Sequence, residues 1–135
     1  MAIALTKNSI DLGIITTNGD AMLKFYRDTL GLKYLREMKA SRGSVMHQLA
    51  CGDSLIKIVV ADSVPAKAPP GGMYGASGYR YWTIPVSNLA EMLKCCADDG
   101  YTIAVKETEI RPGVKIAMVE DPDGNWVEFL QIAKA

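Results

Sequence analysis

The sequence predicts an α+β fold built from two tandem βαβββ modules. Three observations carry this. The apolar period switches from two to about 3.6 and back again, twice along the chain. The element order of the first half returns in the second. Short identities recur at a nearly constant offset: "MLK" at 22–24 and 92–94, and the turn dipeptides Gly52-Asp53 and Asp123-Gly124. With 135 residues, one domain has enough chain for a core.

In chain order, "IDLGIITT" (10–17) is apolar and β-branched, hence a strand. In "NGDAMLKFYRDTLGL", Met22, Phe25, Tyr26 and Leu30 fall on one helical face, Asn18 or Asp20 can cap the start, and Gly31 stops it. Strands are expected at 33–39, 44–51 and 54–60, the last two joined by the two-residue turn Gly52-Asp53. Module one thus spans about 10–60. Residues 61–78, with three prolines and four glycines, read as a linker or lid. Module two spans about 79–132: a strand in "YRYWTIPV", a helix in "NLAEMLKCCADDG" with Asn88 and Glu91 in a capping-box relation, then strands at about 101–107, 113–120 and 125–131. Side by side, the modules are expected to form a curved eight-stranded mixed sheet with helices on one face and a groove on the other.

Aligning the two halves equates Asp11 with Tyr81 and Lys57 with Glu128. Strand alternation places Lys57 with Leu55 and Val59, and Glu128 with Trp126 and Leu130. A lone charge under the helices would be costly, so these faces are assigned to the groove. If Gly52-Asp53 is a two-residue turn, Gln48 lies opposite Lys57 on that face, and the single histidine, His47, faces the helices. Trp126, Met46 and Met118 line the groove face, while Trp82 points the other way. Met73 and Tyr74, in "GGMYGASG", are candidate ligand contacts on the lid. Met22 and Met92 read as core.

Composition excludes several classes. Fifteen basic and fifteen acidic residues cancel, which argues against nucleic acid or an anionic membrane as partner. No apolar run reaches the ~18 residues of a membrane span, and the start is too soon polar for a secretory signal. Cys51, Cys95 and Cys96 lack metal-site spacing and fit free thiols in a reducing cytoplasm. Cys95-Cys96 within a helix reads as packing. Arg36, Arg42 and Arg111 are candidates to meet an anionic substrate, against ordinary solvation as the default.

The stretches "DLGIITTNGDAMLKFYRDTLGL" and "GVKIAMVEDPDGNWVEFLQ" resemble the vicinal oxygen chelate superfamily of glyoxalase I, bleomycin-resistance proteins and relatives, over about residues 10–132. The resemblance implies paired βαβββ modules, a small-molecule groove and frequent homodimers. Metal-using members place ligands at four groove positions, which fall on Asp11, Lys57, Tyr81 and Glu128. Only Glu128 keeps the pattern. A protonated lysine has no lone pair for a metal, and tyrosine is a poor ligand below its pKa of about 10. No metal and no other cofactor are therefore expected. Lys57 is expected to stand where the ion would be, paired with Glu128 and Asp11.

Two functions follow. One is a metal-independent lyase or isomerase acting on a small carbonyl compound, with a carboxylate as base and Lys57 or Tyr81 donating to an oxyanion. The other is a non-catalytic small-molecule binder of the bleomycin-resistance type.

Overall fold

The structure is a computed structural model describing residues 1–63 and 66–134. It divides into two compact units, Met1–Ala66 and Lys67–Ala135. The expected linker is therefore not a separate piece. Its later part belongs to the second unit, and its residues 64 and 65 lie outside the described residues.

The first unit runs β1 (Asp11–Thr16), α1 (Gly19–Leu23) continued by a π-helical turn (Lys24–Thr29), β2 (Lys33–Lys39), β3 (Val45–Cys51) and β4 (Ser54–Val60). Its four strands are ordered β1-β4-β3-β2, with β1 parallel to β4 and the rest antiparallel. The second unit repeats this with β5 (Tyr81–Pro85), α2 (Leu89–Asp98), β6 (Ile103–Arg111), β7 (Val114–Glu120) and β8 (Trp126–Ile132), ordered β5-β8-β7-β6. The eight predicted strands are present, hydrogen-bonded as two four-stranded mixed sheets, one in each unit. Among the described residues no helix is long and apolar enough to cross a membrane.

One face of each sheet is closed by its helix. In the first unit Met22, Phe25 and Tyr26 are fully buried, as are Leu49 and Ile58 from the sheet. Leu23 is buried too, three residues before Tyr26 and so on the same side of the helix. Gly19 lies so close to β4 that an added Cβ would stand 2.7 Å from Val60. In the second unit Leu89, Cys96, Val119, Val127 and Phe129 form the matching core. Met92 is only half-buried.

The helix starts differ from expectation. Neither Asn18 nor Asp20 caps α1 through its side chain. Instead the buried Thr16 accepts the Asn18 N–H through Oγ1 at 2.8 Å. At α2 the Asn88 amide donates to Glu91 at 3.0 Å, and the first helical N–H, that of Leu89, is satisfied by Gln131 Oε1 of β8 at 2.8 Å. A strand side chain does the capping, so the helix is tied directly to its sheet.

Burial pushes the Cys96 thiol up to about 12, with Cys95 and Asp99 adding to the effect. Burial raises Cys51 as well. Neither behaves as an activated thiolate. All three cysteines are free.

Candidate functional site

The face of each sheet turned away from its helix carries the predicted residues. Across the first unit, Arg36, Gln48, Lys57 and Gly13 are successive register partners on β2, β3, β4 and β1. Two residues along, Met38, Met46, Val59 and Ile15 form a second row. The Gly52-Asp53 turn is a two-residue one, closing on the Cys51–Ser54 pair, and this sets the register that puts Gln48 opposite Lys57. His47 pairs with Ile58 on the helix side, where its Nδ1 lies 2.9 Å from the Tyr34 hydroxyl. It is a satisfied, half-buried histidine on an interior strand.

Lys57 Nζ is 3.2 Å from Asp11 Oδ2, and Lys7 Nζ donates to Asp11 Oδ1 at 2.7 Å. The two ammonium groups, Lys7 above all, hold the Asp11 carboxyl below its usual range. Arg36 donates to Gln48 Oε1, and Gln48 Nε2 turns toward Met38 Sδ at 3.1 Å and Met46 Sδ at 3.4 Å.

The depressed Asp11 has a consequence for acid stability. A folded-state pKa below the unfolded one contributes stability above the unfolded value, and that contribution is lost as pH falls through the folded value. Asp11→Asn is thus expected to lower stability slightly near neutrality, where the contribution is present, and to converge with the parent as pH falls below about 4, which flattens the acid limb. Urea midpoints across pH 3 to 7, compared with those of the parent, check this.

In the second unit Tyr81 pairs with Trp126, and Thr83 with Glu128. The first unit pairs Asp11 with Leu55 and Gly13 with Lys57. The repeat alignment thus has Asp11 matching Tyr81 and Lys57 matching Glu128 in backbone register. Glu128 Oε1 accepts from Thr83 Oγ1 at 2.7 Å. Each charge has a partner on the adjacent strand of its own sheet: Lys57 has Asp11, one of its two expected partners, and Glu128 has Thr83. Met118 is register partner to Glu128 and is buried.

The predicted lid is a built strap. Gly72–Tyr74 forms a short 3-10 turn over Trp126, which is only 7% exposed. A Cβ on Gly72 would fall 2.0 Å from the indole, and Gly72 has φ +53, so only glycine fits. Arg80 fastens the strap, donating Nε to Gly72 O at 2.7 Å and Nη2 to Pro69 O at 2.5 Å. Tyr74 meets the indole edge-on at 6.1 Å while remaining 81% exposed, and Met73 is 39% exposed. Trp126, expected as a wall for ligand stacking, has one ring face covered by its own chain. Its Nε1 donates to Glu120 at 3.2 Å.

Sequence reasoning missed Lys7, Gly13, Thr83 and Arg80. Thr83 and Gly13 were accessible by extending the repeat along β1 and β5. Arg80 comes two residues after a proline- and glycine-rich stretch whose carbonyls need donors.

A divalent metal does not fit these residues. Both Asp11 oxygens are engaged by ammonium groups, and Lys57 offers a cation where the related metal sites offer a ligand. Among the described residues no three His, Cys, Asp or Glu side chains cluster as a metal centre would require.

No curated protein matches the chain. Solved structures do match in fold. A glyoxalase family protein from Bacillus cereus has a TM-score of 0.79 at 13% identity, covering 97% of this chain and 100% of its own. One from Enterococcus faecalis gives 0.69 at 22%, covering 94% and 96%. TnmS3, an antibiotic binding protein from Streptomyces sp. CB03234, gives 0.70 at 18%, covering 98% and 99%. The sequence profile of the Glyoxalase/Bleomycin resistance protein/Dioxygenase superfamily matches residues 9–129, nearly the whole of both repeats, and the chain belongs to that superfamily.

Proposed function

We propose that this protein binds a small organic molecule on its open sheet faces, without a metal, in the manner of a binding rather than a metal-activating member of its superfamily. The carrying observation is the state of Asp11. With both oxygens held by Lys7 and Lys57, it is neither a ligand for a cation nor a ready general base. Gln48, Met118, Trp126, Met73 and Tyr74 are the ligand contacts of this reading. The antibiotic binding neighbour of the same fold supports it.

A second reading is a metal-independent lyase or isomerase acting on a small carbonyl compound. Glu128 favours it, because its carboxylate shares a sheet face with Tyr81 and accepts a hydrogen bond from the neutral Thr83 hydroxyl. In that reading Glu128 is the base, and Tyr81 or Lys57 donates to the developing oxyanion. On either reading the protein works as a homodimer in the cytoplasm; free thiols support the compartment.

The test is a panel of small 2-oxoaldehydes and hydroxyketones followed by proton NMR, with chelator and with added divalent metal. Binding without conversion is expected. Conversion that survives chelation and disappears in Glu128→Gln would establish the second reading at the expense of the first. Stoichiometric metal in elemental analysis would remove both, and a monomer in sedimentation velocity would remove the dimer.

A further inference from the structure

Gly13 sits inside β1, where glycine weakens a strand. Its φ is not positive, and a Cβ built on it would meet nothing within 4 Å. Neither backbone conformation nor packing within the described residues calls for glycine here. What remains among the ordinary reasons for a strand glycine is close approach by something outside the fold.

The surroundings of Gly13 indicate what approaches. Among the described residues this face carries Arg36, Lys57, Lys7 and, in register with Ala50 and Leu55, Lys33, opposed by the Asp11 carboxylate, so it is net positive. The carboxylate nearest in register, Glu37, pairs with His47 and so lies on the helix side. Arg36 is steadied by the neutral Gln48, so its charge is positioned and not cancelled. The adjoining row is wholly apolar, Met38, Met46, Val59 and Ile15, with Met38 44% and Ile15 56% exposed. The two rows lie about 7 Å apart, two residues along a strand. A charged row beside an apolar row, with a gap at one end, matches an amphipathic ligand of about that size.

Resting on the binding reading above, we propose that the ligand is a small organic anion, an aryl or alkyl monocarboxylate. Its carboxylate meets Lys57, in competition with Asp11, and Arg36 reaches it across Gln48. Its hydrocarbon lies over the bare Cα of Gly13 and against Ile15, Val59 and Met46. The thioethers of Met38 and Met46 suit an aromatic ring.

The experiment titrates 15N-labelled protein with 3-phenylpropanoate, its neutral amide and 3-phenylpropylamine. Phenylpropanoate is expected to shift the Gly13, Gln48 and Lys57 amides saturably, with the neutral amide about tenfold weaker or more, as loss of a charge-assisted contact implies. Lys57→Met and Arg36→Met should each weaken phenylpropanoate about tenfold. Gly13→Val should abolish binding while keeping or raising the melting temperature, since the side chain enters open space and suits a strand. That combination separates a ligand gap from a structural role. If the neutral amide or the amine binds as well as the acid, the anion class is overturned and the binding reading stands. If none of the three perturbs this face, both fall. If Gly13→Val alters the sedimentation coefficient and spares phenylpropanoate binding, the gap serves a second copy of the chain and the proposal is overturned.

Discussion

Trp126→Ala is expected to remove ~3–5 kcal/mol of stability, the range for deleting a large buried aromatic side chain. The indole is 7% exposed although it stands on the sheet face away from the helix. Its cover comes from the strap, with Gly72 against the ring and Tyr74 edge-on at 6.1 Å and 79°. Truncation leaves a cavity that Arg80, bonded to three strap carbonyls, keeps from collapsing. Glu120 also loses the indole N–H. Against a total of ~5–15 kcal/mol for a protein of this size, the shift in urea midpoint is large. Gly72→Val tests the same contact from the other side. A valine Cβ cannot occupy a point 2.0 Å from the ring, so the strap must lift. The cost there is limited to what the strap contributes. In a Trp82→Phe background, the emission of Trp126 should move to the red while the far-UV spectrum stays unchanged. Parent-like emission would mean that the strap does not cover the ring.

Asp121→Ala should cost ~2–4 kcal/mol, because it strips acceptors from groups that are partly shielded from water. Asp121 is 4% exposed. Its Oδ1 accepts the N–H of Asp123 and of Asn125, each at 2.9 Å, and its Oδ2 accepts from the Asn125 amide at 2.8 Å. These bonds close the loop between β7 and β8 and so secure the register that sets Met118 opposite Glu128. Asp121→Asn keeps one acceptor oxygen and should recover about half of the loss. Chemical denaturation gives the magnitude, and amide exchange in β7 and β8 reports the register. A substitution that leaves both at parent values contradicts the account.

The same loop shows where local reading stops. A glycine–aspartate pair marks both hairpins. At Gly52-Asp53 the pair is the whole turn, and two residues connecting paired strands leave few geometries. At Asp123-Gly124 the strands close on Glu120 and Trp126 with five residues between them, one more than strands at 113–120 and 125–131 imply. What organises that loop is a buried carboxylate outside the dipeptide. Sequence supplied the residues, but burial of Asp121 depends on the β7 and β8 backbones around it.

The strands, the helices, the repeat register and the sidedness of Gln48, Lys57, Glu128 and His47 were all determined by the sequence alone. They follow from periods of two and 3.6 and from one tight turn, which act over neighbouring residues. The partners on those faces were decided only by the tertiary structure. Lys57 turns to Asp11, Glu128 takes Thr83, Lys7 shares Asp11, and a strap pinned by Arg80 covers Trp126. Alternation says which way a side chain leaves the backbone. The torsions of a long side chain and the path of a loop decide where it ends, and both depend on residues distant in the chain.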